Sequence, residues 1–594
     1  MYIYSVIYNK VLKSFLVFFP NIVDRIMATP DLTIVAVPSA QAQEASRDQN
    51  GGQLATLSII INQSLFTGIF PKDLKIAKVI PIYKKDDEQI FDNYRPISLL
   101  PAISKIFEKI VSKQIINYFT TNNLIFSSQH GFRQNHSTET AAIELIDQLK
   151  LEIDKGHLPI SIFMDLSKAF DTIDHNILLK KLKFYGLDII SFEWFKSYLT
   201  NRQQYVIVNS ENSQMKPVTT GVPQGSILGP LLFLIYINDI SYCSDKFTFL
   251  CFADDTTITI SLCIKNSKCK YCNSNHVMDE NSINNELNKL YNWLTINKLS
   301  LNTKKTKYMV FHNPQRRLNS SNTCSFLTSN PSKIKINNVS IERVQTHIFL
   351  GITFHENLSW KDHTNKISNK VSKTIGIIRR IKSVVPSKIL KTIYNSLFTP
   401  YLQYGILIWG FELNRLEILQ KKCIRLITNS FPLAHTETLF KSLNILKISD
   451  IFKHKCLITY YKFKNKSLPQ YVQNIFSEFT PINNYSLRSN TNKIMNESFC
   501  NQKNTEKCLR FFLPKMINEF SDNFKETLET ILTYTLNTFK FRIKKELLAE
   551  YSNSDCEIIN CYPCSKQIFY TNYFHKFIQF IHIYAYITNY QFIL

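Results

Sequence analysis

The sequence has no disulfide framework. Its 13 cysteines are an odd number, scattered irregularly along 594 residues. Cysteine staples serve short secreted domains that cannot build a core, and this chain is far too long to need them. Reduced, intracellular thiols are expected. A good secretory leader is lacking too. The apolar stretch Ser14 to Phe19 follows two lysines, but aromatics and lysine interrupt the apolar run and the cleavage site is unclear. No clean membrane span stands out: the most apolar segment, Ile568 to Leu594, carries Lys576, two histidines and several amides. No internal repeat is visible.

What is present is the profile of a chain with real cores. Hydrophobic residues make up 44% and charged residues 20%, which argues against disorder. The length implies two to four packed units. Basic residues number 70 against 46 acidic, a net charge of +24. A surplus of that size repels itself inside a compact body and is relieved by a polyanion, most often nucleic acid.

Patterning divides the chain. Residues 1–53 form an N-terminal segment with a small, polar linker from Pro38 to Gly52. Ile76 to Tyr83 alternates like a strand, and Ser98 to Tyr118 has helical spacing. Ile160 to Met164 reads as a buried strand leading into Asp165. Helices are expected over Asn176 to Phe184, Ile227 to Ile240 and Ile283 to Leu299, and strands over Tyr205 to Val208 and Tyr308 to Phe311. Phe247 to Phe252 and Thr256 to Leu262 flank Ala253-Asp254-Asp255, so a hairpin with the acids at its tip is expected. Residues 313–333 read as a loop, and paired strands follow around Asn337-Asn338. Beyond Trp360 the chain reads as mostly helical, with a polar linker from Asn483 to Glu506. In the helix expected over Lys366 to Arg380, Ile367, Val371, Ile375 and Ile378 line one side, while Lys370, Lys373, Arg379 and Arg380 crowd the rest.

The acids are the chemical signal. Strand interiors disfavour Asp, and two adjacent acids repel. Turn chemistry alone explains an isolated Asp-Asp pair. A third acid at the end of a buried strand changes the reading, because hard divalent cations take carboxylate oxygens on rigid elements.

Three segments carry a family resemblance. Phe163-Met164-Asp165-Leu166-Ser167-Lys168-Ala169-Phe170-Asp171, Gly221-Val222-Pro223-Gln224-Gly225-Ser226-Ile227-Leu228-Gly229-Pro230 and Phe252-Ala253-Asp254-Asp255 resemble, in order and spacing, the palm motifs of non-LTR retrotransposon reverse transcriptases, with a jockey-like flavour. Asn93-Tyr94-Arg95-Pro96-Ile97-Ser98 and Gln129-His130-Gly131-Phe132-Arg133 resemble the fingers motifs. Leu301-Asn302-Thr303-Lys304-Lys305-Thr306 is similar to a fourth palm motif, and Phe349-Leu350-Gly351-Ile352 to the primer-grip hairpin. The likeness runs from about Lys78 to about Gly410.

The resemblance implies an α+β right-hand polymerase: fingers over 54–159, an α/β palm with an antiparallel sheet over 160–315, a loop and primer-grip hairpin over 316–360, a helical thumb over 361–425 and a C-terminal helical extension over 426–594. It implies RNA-directed DNA polymerase activity, nucleotidyl transfer from a dNTP to a primer 3′ hydroxyl. Asp165, Asp254 and Asp255 are the implied catalytic residues, and Asp165, Leu166, Asp254 and Asp255 the implied metal set for two Mg2+ ions, with Mn2+ as an alternative. Phe170 fits the steric gate that excludes a ribose 2′ hydroxyl. Gln224 and Gly225 would face nucleotide and template, Arg95 and Arg133 would grip triphosphate or template, and Lys305 would stand near the leaving pyrophosphate. Asp171 would order the turn. The implied partners are an RNA template, a DNA primer or target, dNTPs and other retroelement-encoded proteins, with no membrane. The implied workplace is intracellular, the nucleus or the cytoplasm.

Each residue also has a bland reading. Phe170 suits a core aromatic, Arg95 and Arg133 suit structural or surface arginines, and Lys305 suits a solvated lysine. Cys263, Cys269, Cys272 and His276, and separately Cys556, Cys561 and Cys564, hint at zinc but lack the family's rhythm. No endonuclease motif appears in residues 1–70, so a fragment or decayed copy is expected. Competing readings are a maturase-like or telomerase-like polymerase, and a catalytically inactive remnant that only binds nucleic acid.

Overall fold

The computed structural model describes residues 49–262, 280–313, 334–477, 506–523 and 528–551, together with 495, 497 and 500. Both proposed zinc clusters, the apolar segment from Ile568 and most of the linker expected after Asn483 lie outside these residues.

Helix α1 (Gln49–Thr67) leads into strand β1 (Ile76–Tyr83), which pairs antiparallel with β2 (Tyr94–Leu99) from Lys78↔Leu99 to Tyr83↔Tyr94. Here Ser98 and Leu99 end a strand, where helical spacing had placed the start of a helix. The reason is Pro101, which stands at the N-cap of α2 (Ala102–Thr121). Proline fixes its own φ and lacks an N–H, so it suits a helix start better than a helix interior.

Helix α3 (Thr138–Asp154) opens with a capping box between Ser137 and Thr140, which satisfies two otherwise orphaned donors. Strand β3 (Leu158–Met164) is buried along its whole length. Helices α4 (His175–Phe184) and α5 (Ile189–Leu199) follow, and β4 (Arg202–Val208) joins the first sheet parallel to β1. After α6 (Leu228–Ile237) come β5 (Thr248–Phe252), β6 (Asp255–Leu262), α7 (Glu280–Ile296), β7 (Lys307–Val310) and β8 (Glu342–Arg343). The second sheet has the order β8-β7-β3-β6-β5, with β3 central and antiparallel to both neighbours. A separate hairpin pairs β9 (Thr346–Phe349) with β10 (Ile352–His355), and its turn residues Leu350 and Gly351 both take positive φ. Around Asn337-Asn338, Lys335–Ile336 pairs with Val339–Ser340.

Two hydrophobic cores meet at the second sheet, and the pleat of β3 divides them. Leu158, Ile160, Ile162 and Met164 enter one core with α2, α4, α5, α6 and α7. Phe163 points the other way, into a core it shares with Leu250, Met309 and α3. Alternation of successive side chains across a strand produces this split.

The second core continues into the helical half. In α8 (Lys361–Ile381) the stripe Ile367, Val371, Ile375 and Ile378 is buried, and Lys370, Lys373, Arg379 and Arg380 are exposed. Beyond it lie α9 (Ser387–Leu397), α10 (Asn414–Ile427), α11 (Ile448–Lys464), α12 (Gln470–Ser477), α13 (Leu509–Asn523) and α14 (Leu536–Ala549). Helix α3 is tied to this half by Asp147. Its carboxylate, only 1% exposed, accepts from Arg510 Nε at 3.0 Å and Nη2 at 2.8 Å and from Tyr471 Oη at 3.0 Å. Among the described residues no helix is long and apolar enough to cross a membrane. Cys243, Cys251, Cys423, Cys456, Cys500 and Cys508 are free thiols.

Candidate active site

Asp165 follows the last residue of β3, and the register Met164↔Thr256 sets it beside the start of β6. Asp255 opens β6 and pairs with Phe252, so Ala253 and Asp254 form the turn of the β5–β6 hairpin. The chain order of strands thus brings acids 89 positions apart (254 minus 165) to one corner of the sheet.

At this corner burial and mutual repulsion of the acids outweigh the basic side chains nearby. Burial raises the Asp254 carboxyl above its ordinary value, and the Asp165 charge adds to the rise, while Arg95 and Lys84 oppose it. Asp255 is pushed up to about 6, first by burial and then by the charges of Asp254 and Asp165. Both shifts say that a proton or a cation is wanted here. Carboxylate oxygens suit magnesium. Among the described residues no group of three or more His, Cys, Asp or Glu is drawn together as a ready metal cage. Magnesium usually takes one or two carboxylates and completes its shell with water and substrate phosphates, so this donor set fits it without such a cage.

Leu166 pairs with Leu301. Asn302 N donates to Asp165 O at 2.8 Å, which lays the Leu301–Thr306 motif against the first acid. From there Lys305 Nζ reaches to 3.7 Å from Asp165 Oδ2, with both side chains well exposed. Phe170 is half-buried, its ring 4.9 Å from Phe233. Gln224 Nε2 donates to both oxygens of Asp171, at 2.8 and 3.0 Å. Burial raises the Asp171 carboxyl and that hydrogen bond counters it. Arg95 is exposed and within electrostatic reach of Asp254. Lys84, which motif reading passed over, faces the same acids.

Two residues behave otherwise than their motifs imply. Arg133 does not project toward a ligand: its Nη1 donates to the carbonyls of Phe126, Ser127 and Gln129 at 2.9 to 3.1 Å. An arginine so engaged holds its own loop. Gly225 permits a close approach, but to protein. At φ +123, a Cβ there would lie 2.6 Å from the carbonyl oxygen of Ser98, and Ser98 N donates to Gln224 O at 2.7 Å.

Residues 82–354 match the family model for reverse transcriptase (RNA-dependent DNA polymerase). The chain carries a reverse transcriptase domain. The RNA-directed DNA polymerase of transposon BS from Drosophila melanogaster is 27% identical over 66% of this chain and 43% of its own length. That of the mobile element jockey, from the same species, is 26% identical over 67% of this chain and 42% of its own. The chain therefore spans about two fifths of these relatives. A COX1/OXI3 intron 2 protein of Saccharomyces cerevisiae is similar over only 38% of the chain, at 25% identity. The wider match favours the non-LTR retrotransposon kind over an intron-encoded one.

The acidic hairpin is held partly by residues of the Gln129–Arg133 motif, for which sequence reading gave no such role. His130 N donates to Cys251 O at 2.7 Å and Cys251 N donates to Ser128 O at 2.9 Å, so residues 128–130 run along the free edge of β5. Beneath them, His130 Nε2 lies 2.9 Å from Glu144 Oε2 on α3, with both side chains fully buried. Nothing local in the sequence announces this brace; only the helical spacing of Thr140 and Glu144 could have hinted at one face serving His130.

Proposed function

We propose that this chain is an RNA-directed DNA polymerase of a non-LTR retrotransposon, extending a DNA 3′ end on an RNA template with dNTPs and magnesium. The observation that carries the reading is the shared corner of Asp165, Asp254 and Asp255, where mutual repulsion and burial raise the latter two carboxyls. When bound there, divalent cations would ease loss of the hydroxyl proton and spread charge on the transferring phosphate.

The chain's own residues do the rest. Asp165 and Asp254 would hold the cations, with Leu166 in the same implied set and Asp255 supporting the site. Arg95 and Lys84 face the triphosphate, and Lys305 stands by the departing pyrophosphate. Phe170 presents its ring to the sugar and selects against the 2′ hydroxyl by exclusion. The exposed Lys370, Lys373, Arg379 and Arg380 of α8 meet backbone phosphates of the template-primer duplex, contacts that read shape and not sequence.

Primer extension on poly-rA with magnesium, comparing the wild type with Asp254→Ala, tests this. Extension by the wild type alone supports the reading. Equal extension by both removes the metal assignment. Absence of extension by the wild type, with duplex binding retained, favours an inactive remnant.

A further inference from the structure

We infer that Gln129 is a positioning residue for Asp254, and that the buried His130–Glu144 pair is its footing. The inference deepens the polymerase reading and rests on it for its consequence in catalysis. Gln129 is 3% exposed, and its Oε1 accepts from two backbone donors: Ala253 N at 3.0 Å and Gly131 N at 2.8 Å. Ala253 directly precedes Asp254 and holds φ +57, a conformation that L-residues other than Asn and Asp seldom keep unaided. Ala253 is itself only 5% exposed. Without Gln129 its N–H would face the interior with no water to replace the lost acceptor.

The approach is a backbone contact, and that explains the glycine two places on. A Cβ on Gly131 would lie 2.3 Å from Ala253 N and 2.9 Å from its Cα. The same short segment is fastened below. His130 Nδ1 lies 3.1 Å from Thr140 Oγ1, and Ser128 Oγ donates to Glu144 Oε1 at 2.7 Å. Thr140 and Glu144 belong to α3, one turn apart. A rigid helix, a buried pair and one amide oxygen therefore fix the turn that aims Asp254. Catalytic carboxylates need support of this kind, because a small displacement of a ligand weakens cation binding more than substrate binding.

The test uses the full chain and two variants, with a third in reserve. Gln129→Met keeps the volume and removes the acceptor, whereas Gln129→Glu keeps an acceptor oxygen. In metal-free protein, hydrogen exchange of the peptide spanning 250–257 should quicken at least tenfold in Gln129→Met and stay near wild type in Gln129→Glu. Terbium luminescence titration should show affinity about tenfold weaker in the Met variant, with recovery in the Glu variant. In primer extension kcat should fall with KM for dNTP unchanged. Wild-type exchange together with wild-type terbium affinity in Gln129→Met would overturn the inference. If wild-type protein extends no primer, the polymerase reading fails, while exchange and terbium binding still decide the role of Gln129. Should Gln129→Met not fold, Gln129→Asn, which draws the carbonyl back by one methylene, takes its place.

Discussion

Two groups of carboxylates in this molecule have opposite surroundings. Asp147 is buried in the core and accepts from Arg510 through two nitrogens, from Tyr471 and from Cys508. Asp254 and Asp255 sit at a sheet corner where the strongest neighbours of their charge are other acids, and their carboxyls rise. Asp147 is a structural acid because the fold supplies its counter-charge. The hairpin acids are left under-compensated, which is the condition of a site built to receive a cation from outside. Burial alone would not tell the two apart; the partners do.

The contrast can be broken at several points. The largest expected effect is on chemistry: Asp165→Asn should lower primer extension by on the order of 10³-fold, read as single-turnover rate, while the denaturation midpoint barely moves. Arg510→Leu should do the reverse. It leaves Asp147 buried without its ion-pair partner, and such a loss costs about 3–5 kcal/mol, read by urea denaturation of the variant against wild type. A wild-type midpoint for Arg510→Leu would mean that Asp147 finds water instead, and the two acids would not differ as described.

A smaller effect concerns pH. The Asp255 carboxyl stands at about 6 against an ordinary 3.8, so the folded metal-free chain holds a proton there that the unfolded chain releases. That proton favours the fold below the ordinary value's range, and the advantage fades as pH rises from about 4 to 6 and is gone above 6. Divalent cations compete with the same proton, so terbium affinity should fall by up to tenfold per pH unit below about 6. Asp255→Asn should flatten the stability profile over that window. The smallest effect belongs to Lys305→Ala. Its 3.7 Å pairing with Asp165 joins two well-exposed side chains, so its loss should change stability by less than about 1 kcal/mol. Any larger deficit in Lys305→Ala would have to appear in pyrophosphate release, read as a slowed turnover with the unfolding midpoint unmoved.

Much of the acidic corner was legible because strands and acids are local signals. The short apolar run before Asp165 and the apolar runs flanking Ala253 to Asp255 form the expected strand and hairpin. The stripe of Ile367, Val371, Ile375 and Ile378 is wholly buried, because a repeat at helical spacing exposes its own packing face. Helix α3 was not separated from its surroundings. Its buried residues, including Ala141, Ala142, Ile143, Leu145, Ile146 and Leu149, go most of the way around it, so no single stripe marks it. The role of Gln129 was out of reach for another reason. Its partner Ala253 is 124 positions away, and one amide oxygen leaves no pattern in a sequence. Gly225 illustrates the converse: its motif was legible, but the neighbour that crowds this turn, Ser98, lies far away in sequence on β2.

The clamp on Asp147 has a consequence for how the molecule is made. Arg510 lies 363 positions after the acid it neutralises, and a ribosome adding about 5–20 residues per second needs about 20 to 70 seconds to cover that stretch. Through that interval the helix that braces the acidic hairpin has been born without its counter-ion. The nascent chain is thus complete in its motifs long before it is complete in its charges, and the pairing of Asp147 waits on the helix that carries Arg510 emerging from the exit tunnel.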